Sequence, residues 1–329
     1  MSKRALIVGI DAYESSPLSG CVADAAAMAT LLETDGNGDP NFGVKLITSD
    51  DMVVSRSVLN EAIPALFQGD ADMALFYFAG HGVINPDTNS GHIVAQDGEP
   101  GALGYSLSDL LGLANGAYPK IKSTVVILDS CHSGFAGQVA AIRSEVSVIG
   151  SGVTILTASP RDGTAEETGG HGVFTSLLID GLQGAASDIC GRITPAALYT
   201  HVDQTLGDWA RRPNYKANVQ TFVILRKVPP KVPLDALRRL PEYFPDATMT
   251  FRLDPTFEPE RGEEAERLKD IPVNPDHVRI YRELQAFHRH GLIAPVDHPH
   301  MWHAAINSTG CRLTASGAHY RRLALLKRI

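Results

Sequence analysis

His81 and Cys131 are the two residues of this sequence whose side-chain types could carry out covalent chemistry together. Each ends a short apolar run that is rich in β-branched and aromatic residues, LFYFAGH and VVILDSC. A thiol attacks a carbonyl carbon as its thiolate, so it needs an imidazole that accepts its proton and later protonates the leaving amine. The neighbouring glycines and serines would let a substrate backbone approach. The pair therefore predicts a cysteine hydrolase, with a buried structural thiol at Cys131 as the alternative.

The two apolar runs are typical of buried parallel strands. Each run ends in small residues and one reactive side chain, so each strand would place that side chain at the carboxyl edge of a sheet. Apolar runs and helical spacing alternate along the chain, which predicts an α/β fold with a mostly parallel six-strand sheet and helices on both faces. Strands are predicted at residues 4–10, 42–48, 73–79, 122–129, 154–158 and 220–226. Helices are predicted at residues 20–34, 55–67, 106–114, 172–181 and 194–208, with a hairpin around residues 91–95.

Four stretches occur in a set order: ALIVGI at 5–10, GCVADA at 20–25, YFAGHG at 77–82 and DSCHSG at 129–134. Together they resemble the peptidase domain of the caspase and metacaspase superfamily, and the resemblance covers residues 1–228. It implies a caspase-like three-layer fold and a cysteine endopeptidase that works through a thioester acyl-enzyme. The implied catalytic residues are His81 and Cys131, and the implied oxyanion donors are the backbone N–H groups of Gly82 and Cys131.

Asp24 and Asp129 match the acids that line the pocket for the P1 residue in metacaspase-like enzymes. Asp129 lies two residues before Cys131, on the same side of the strand. Two carboxylates in a narrow pocket repel each other, and a substrate guanidinium or ammonium would relieve that repulsion. The resemblance therefore implies cleavage after Arg or Lys. The alternative for Asp24 is that it only caps a helix. Unlike caspases proper, the chain has no Gln before the cysteine and has His-Ser-Gly after it.

Many metacaspases need calcium and carry an acid-rich loop after the histidine. The matching stretch here, residues 83–98, keeps only Asp87 and Asp97. A hard cation requires six or more oxygen ligands, so we expect neither calcium dependence nor another cofactor. Arg143, in the small-residue stretch after the nucleophile, is a candidate autocleavage site if the pocket takes basic residues. The alternative is an ordinary solvated arginine.

The composition predicts a soluble globular protein of two domains, because 329 residues exceed one typical domain. A net charge of −8 argues against general affinity for nucleic acids or anionic membranes. Four cysteines in a chain of this length do not form a disulfide framework, so we expect a reducing cytoplasm. No apolar run of the sequence is long enough to span a bilayer, and residues 1–4 lead into a predicted strand, so we expect neither a membrane span nor export.

A proline-rich change in composition after residue 228 predicts a linker over residues 229–259. Residues 260–329 then predict a small α+β module, with a helix at 275–290, a strand at 301–307 and an LTxxG turn with a basic helix over 311–328. This order is similar to the back half of a winged-helix domain. The histidines of this module and Cys311 match no standard zinc spacing, so no metal site is predicted. Eight Arg and Lys against four Asp and Glu in residues 270–329 give a net charge of +4, which could contact a phosphate backbone but is also common in protein-binding domains. We expect docking of a regulatory protein rather than DNA binding.

The sequence as a whole predicts a regulated endopeptidase that cleaves partner proteins after Arg or Lys, by analogy in bacterial stress or phage-defence signalling. Two other interpretations stay open. One is a cysteine hydrolase of the same broad clan with a different P1 preference. The other is a catalytically idle scaffold or DNA-binding regulator that acts through residues 260–329, against which the intact His81 and Cys131 count.

Overall fold

The computed structural model describes residues 2–85, 90–99, 101–131, 149–158, 167–168, 171–207 and 212–329. These residues form two compact units. The first comprises Met1–Ser187 and Arg192–Val228, and the second comprises Asp188–Gly191 and Pro229–Ile329. The division after Val228 falls where the sequence predicts the end of the first domain. The inclusion of Asp188–Gly191 in the second unit has no counterpart in the sequence prediction.

The first unit alternates strands with helices along the chain. Its strands are β1 (Lys3–Gly9), β2 (Gly43–Thr48), β3 (Ala71–Asn85), β4 (Ser90–Glu99), β5 (Ala102–Ser106), β6 (Ile121–Cys131), β7 (Val153–Thr157), β8 (Glu167–Thr168), β9 (His171–Gly172), β10 (Arg192–Ile193), β11 (Asn214–Asn218) and β12 (Arg226–Lys227). Its helices are α1 (Cys21–Glu33), α2 (Arg56–Leu66), α3 (Leu107–Gly116), α4 (Val173–Asp180) and α5 (Pro195–Leu206), and a π-helical turn at Gly181–Ala185 continues α4.

The central sheet has the main strand order β11-β7-β6-β3-β1-β2. Strands β7, β6, β3, β1 and β2 run parallel, whereas β11 is antiparallel to β7. The predicted mostly parallel α/β fold is therefore confirmed. Among the described residues the sheet has eight strands, two more than predicted, because β4 pairs antiparallel with the last residues of β3 and β5 pairs antiparallel with β4.

The last strand of the sheet is not the one that the sequence predicts. Residues 220–226 were expected to close the sheet, but the edge strand is β11. The apolar residues Val223 and Leu225 are buried in the core without joining the sheet, and β12 pairs with the short strand β10 instead. An edge strand has one side in water, so the sequence NYKAN of β11 lacks the apolar pattern that marks the inner strands.

Side chains alternate between the two faces of the sheet, and each face has its own core. On β3, Ala74, Phe76 and Phe78 pack with residues of α2 and α3. Met73, Leu75, Tyr77 and Ala79 lie in the other core with residues of α1, α4 and α5. The odd-numbered residues of β3 and β6 therefore share the face that α1 and α4 cover.

The second unit is an α+β assembly around its own core. Its elements are α6 (Leu234–Arg238), α7 (Leu240–Tyr243), β13 (Thr250–Phe251), α8 (Pro275–Arg289), β14 (Ile293–Pro295), α9 (Met301–Ile306), β15 (Cys311–Leu313) and α10 (Ala315–Leu325). The three strands form an antiparallel sheet in the order β13-β15-β14. The resemblance of this unit to a winged-helix domain stays a prediction.

Two segments of the second unit differ from the sequence prediction. Residues 229–259 do not form an extended linker, because they contain α6, α7 and β13 and bury Leu237, Leu240 and Phe244 in the core. The strand predicted at 301–307 is wrong, since Met301–Ile306 is a helix. Its buried residues, among them Met301, Ala304 and Ala305, follow helical spacing.

In the part of the chain that the structure describes, no helix is long and apolar enough to cross a membrane.

Candidate active site

The ends of β3 and β6 bring His81 and Cys131 together. These strands are adjacent and parallel, and their register pairs Ala79 with Asp129 and then His81 with Cys131. The two residues thus occupy opposite positions at the carboxyl edge of the sheet, where open α/β sheets place their functional groups. The geometry of the backbone therefore supports the pairing that the sequence predicts.

His81 is buried and is held by residues of the segment that follows β1. Its Nε2 atom lies 2.7 Å from the backbone oxygen of Ser16. A carbonyl oxygen only accepts hydrogen bonds, so in this contact Nε2 carries the proton and Nδ1 is left as the basic nitrogen of the neutral ring. The aromatic ring of Tyr13 lies 4.5 Å from the imidazole ring, and the backbone N–H of His81 donates to Tyr13 Oη at 3.1 Å. Tyr13 Oη in turn donates to the backbone oxygen of Val94.

The glycines on either side of His81 are required by close packing. A Cβ atom at Gly80 would lie 2.7 Å from both Tyr13 Oη and Phe78 Cζ, and one at Gly82 would lie 3.0 Å from Ser130 Cβ and Oγ. A methyl group at position 80 would therefore displace the tyrosine that contacts His81. The role of the Gly82 and Cys131 N–H groups as oxyanion donors stays a prediction.

Asp24 and Asp129 are both buried, and they converge on Gly172 from α1 and β6. The Oδ2 atoms of both carboxylates lie 3.2 Å from the place that a Cβ atom of Gly172 would occupy. Asp24 is not the cap of α1, because Asp11 accepts the N–H groups of Cys21 and Val22 at the start of that helix. The two acids that the sequence assigns to the P1 pocket are thus brought together, although they are far apart in sequence.

The buried hydroxyl groups of Tyr77 and Thr175 are linked by hydrogen bonds in a series that ends at Asp129. Thr175 Oγ1 donates to Asp129 Oδ2 at 2.7 Å, and Tyr77 Oη lies 2.6 Å from Thr175 Oγ1. Burial, and then the negative charges of Asp129 and Asp24, raise the pKa of Tyr77 well above its ordinary value. Tyr77 is therefore a neutral hydrogen-bond donor at physiological pH.

The prediction about calcium concerns two acids in the stretch after His81, Asp87 and Asp97. Asp87 lies outside the described residues, and both oxygens of Asp97 contact Arg56, with Oδ1 accepting its backbone N–H at 2.7 Å. Among the residues that the structure describes, no group of three or more His, Cys, Asp or Glu side chains could hold a metal ion. Arg143, the candidate autocleavage site, lies outside the described residues.

Comparison with known proteins matches residues 2–225 to the family described as Caspase domain, Peptidase_C14. The chain belongs to this caspase family. It is 30% identical to Metacaspase-3 of Arabidopsis thaliana over 102 residues, which are 29% of this chain and 28% of that protein. The chain thus matches less than a third of the length of this relative. The resemblance inferred from the four sequence motifs is confirmed, and membership of the family supports cysteine peptidase chemistry.

Solved structures show the same fold. Protein GSU0716 of Geobacter sulfurreducens superposes with a TM-score of 0.51 at 17% identity, over 70% of this chain and 98% of that chain. Caspase-1 of Spodoptera frugiperda superposes with a TM-score of 0.50 at 15% identity, over 69% of this chain and 90% of that chain. At these identities the likeness establishes the caspase-like fold alone.

The sequence interpretation missed four residues of this site, which are Tyr13, Ser16, Gly172 and Thr175. Ser16 contributes a backbone oxygen, which has no signature in sequence. A signal was present at Thr175, because this polar residue lies on the buried side of a helix that otherwise packs apolar residues against the sheet. Nothing in the sequence indicated that its partner would be Asp129.

Proposed function

We propose that this caspase-family protein is a cysteine endopeptidase that cleaves protein substrates after Arg or Lys, with Cys131 as nucleophile and His81 as its base. The observation that carries the proposal is the convergence of Asp24 and Asp129 on Gly172, in the same unit as the His81–Cys131 register pair. Asp24 and Asp129 select a basic P1 side chain, and His81 and Cys131 carry out the hydrolysis.

The proposed reaction follows from the His81 contacts. Nδ1 of His81 takes the proton of the Cys131 thiol, because Nε2 is committed to the Ser16 oxygen. The thiolate forms a bond to the scissile carbonyl carbon, and the peptide C–N bond then breaks as the imidazolium protonates the leaving nitrogen. Water, deprotonated by His81, adds to the resulting thioester. The C–S bond breaks, and the new carboxyl terminus and the thiol are released.

Selection of the P1 residue follows from charge. A buried carboxylate is costly unless it is paired or hydrogen-bonded, and two such groups close together are costlier still. A guanidinium or ammonium group that enters between them offsets this cost, whereas an aspartate side chain would add a third negative charge. We expect cleavage after Asp to be negligible.

The test is turnover of fluorogenic peptides with Arg, Lys, Asp or Asn at P1, with and without calcium. Wild type should cleave the Arg and Lys peptides irrespective of calcium, Cys131→Ala should cleave none, and Asp129→Asn should lose at least about 100-fold in kcat/KM. Asp109→Asn, an exposed acid in the first turn of α3, is the matched control and should behave as wild type. Efficient cleavage after Asp or Asn would contradict the proposal and favour a different cysteine hydrolase.

The second unit is proposed to be where a regulatory protein docks, and a cytoplasmic location and a role in stress or phage-defence signalling belong to the same proposal. An idle scaffold or DNA-binding regulator is the competing function. It predicts salt-dependent DNA binding that persists in Cys131→Ala and no turnover of any peptide. Turnover by wild type that is lost in Cys131→Ala would exclude the idle scaffold.

A further inference from the structure

The start of helix α4 contacts both acids of the proposed P1 pocket. The backbone N–H of Gly172, the residue before the helix, donates to Asp24 Oδ2 at 3.1 Å. Thr175, in the first turn, donates its hydroxyl hydrogen to Asp129 Oδ2 at 2.7 Å. The two carboxylates come from different elements, and this one helix start is bonded to both of them.

The direction of the hydrogen bonds at Thr175 is determined. A threonine hydroxyl has a single hydrogen, and here it is given to Asp129. The hydroxyl of Tyr77, 2.6 Å away, must therefore donate to Thr175 Oγ1. Tyr77 and Thr175 are both fully buried. A donor chain of this kind, shielded from water, stabilises the ionised carboxylate and restricts its rotation.

The position of Gly172 adds a steric condition. A Cβ atom there would lie 3.2 Å from the Oδ2 atoms of Asp24 and Asp129, which is tighter than ordinary van der Waals contact. The absence of a side chain lets both carboxylates approach the helix start, where the N–H groups of the first turn carry a partial positive charge. The helix thereby offsets part of the repulsion between the two acids.

We propose that Gly172 and Thr175, with Tyr77 behind Thr175, are positioning residues that hold Asp24 and Asp129 in the orientation that favours Arg over Lys at P1. This inference rests on the proposed function of the two acids. A guanidinium binds carboxylates through a planar fork of N–H groups and is sensitive to their orientation. An ammonium group is a point charge that tolerates a rotated carboxylate. Loss of the positioning contacts should therefore impair Arg more than Lys.

The decisive variants are Thr175→Val, which is nearly isosteric but has no hydroxyl, and Thr175→Ser, which keeps it. Thr175→Val should lower kcat/KM for the Arg peptide by about 10-fold or more, mainly through KM, and should reduce the Arg-to-Lys ratio of kcat/KM by about 3-fold or more. Thr175→Ser should restore both values. Tyr77→Phe should shift the ratio in the same direction by a smaller factor, and Gly172→Ala should raise KM for both peptides.

A purely structural role is tested by alkylation of Cys131 with iodoacetamide, with Cys131→Ala as the background. The alkylation rate reports the His81–Cys131 pair without using the P1 pocket, so it should be unchanged in Thr175→Val. A fall in alkylation together with turnover, at an unchanged Arg-to-Lys ratio, would overturn the proposal. If Thr175→Val does not fold, Tyr77→Phe serves for the same comparison.

The two proposals fail in different ways. If Asp129→Asn abolishes cleavage after Arg but Thr175→Val, Tyr77→Phe and Gly172→Ala all retain the wild-type ratio and KM, the positioning role is wrong and the proposed function stands. If wild type has no preference for basic P1 residues and Asp129→Asn has no effect, the proposed function is wrong, and the positioning role is overturned with it.

Discussion

Among the described residues, His81 and Cys131 are the last pair that β3 and β6 hold in register, each opposite the other at the carboxyl edge of the sheet. The pairing depends on strands that are not consecutive in the chain, since β4 and β5 lie between them in sequence. The proposed nucleophile and its base thereby lie on paired strands of the sheet, so their backbone positions are set by the ladder between β3 and β6.

Removal of His81 should abolish turnover and leave the fold intact. We expect His81→Ala to lower kcat for the Arg peptide by about 10²- to 10⁴-fold, because the thiol would lose the group proposed to accept its proton. Steady-state kinetics and thermal unfolding measure the two effects. His290→Ala, an exposed histidine of the second unit, is the control. An active His81→Ala enzyme would mean that another group is the base.

Two glycine-to-alanine substitutions should have opposite effects. Gly80→Ala introduces a methyl group 2.7 Å from Tyr13 Oη, so Tyr13 must move and its bond from the His81 N–H is weakened. We expect unfolding free energy to fall by about 1–3 kcal/mol and kcat to fall by about 10-fold. Gly112→Ala, on the exposed side of α3 with open space around its Cβ position, should raise the unfolding free energy by about 0.5–1 kcal/mol.

These values are measured by urea denaturation, with kcat determined on the same preparations. Equal stabilities and activities for Gly80→Ala and wild type would show that Tyr13 does not help to hold His81.

The segment Asp188–Gly191 should depend on Tyr320 for its protection from amide hydrogen exchange. Ile189 donates its N–H to Tyr320 Oη at 3.3 Å, and its backbone oxygen accepts from the N–H of Lys231 at 3.0 Å. Tyr320→Phe removes one hydrogen bond, which should speed amide hydrogen exchange at Ile189 by about 2- to 10-fold. Tyr118→Phe, an exposed tyrosine of the first unit, should leave this exchange unchanged. Equal exchange in Tyr320→Phe would show that other contacts hold the segment.

The second unit should lose stability at alkaline pH through Cys311. This thiol is fully buried in the second unit, and burial raises its pKa to about 12 from an ordinary value of 9.0. A folded-state pKa above the unfolded value means that the stabilisation is complete below pH 9 and is lost progressively as the pH rises towards about 12.

Urea denaturation across this pH range should therefore show a smaller decline in Cys311→Ala than in wild type. Some decline should remain, because the pKa of Tyr281 is raised and burial, together with a hydrogen bond to Glu283, raises the pKa of Tyr243 to about 12. An identical slope in both proteins would refute the assignment to Cys311.

Much of the first unit could be predicted because its inner strands are buried on both faces. Runs such as LFYFA and VVIL have a local apolar signature, and the residues that follow them lie at a sheet edge. The helix over residues 195–206 was equally readable, since Thr194 caps it and Pro195 begins it. The four motifs predicted the family, and with it Asp24 and Asp129 as a pair.

The wrong predictions have a common cause. A local sequence pattern does not show which distant segment a residue will pack against. Residues 222–225 form a continuous apolar run, and its Val223 and Leu225 are buried without joining the sheet, while the polar β11 forms the sheet edge. The prolines of residues 229–259 suggested an extended linker, yet Leu237, Leu240 and Phe244 pack against apolar residues of the later helices.

The sequence alone determined which residues could react, because His81, Cys131, Asp24 and Asp129 are chemically distinctive and lie in ordered motifs. The tertiary structure alone decided what holds them: the Ser16 oxygen on His81, the Gly172 N–H on Asp24 and the Thr175 hydroxyl on Asp129. Secondary structure follows from the periodicity of neighbouring residues, whereas hydrogen bonds between distant segments depend on how the layers pack. A backbone N–H or C=O group is present at almost every position, so no sequence pattern marks the one that is used.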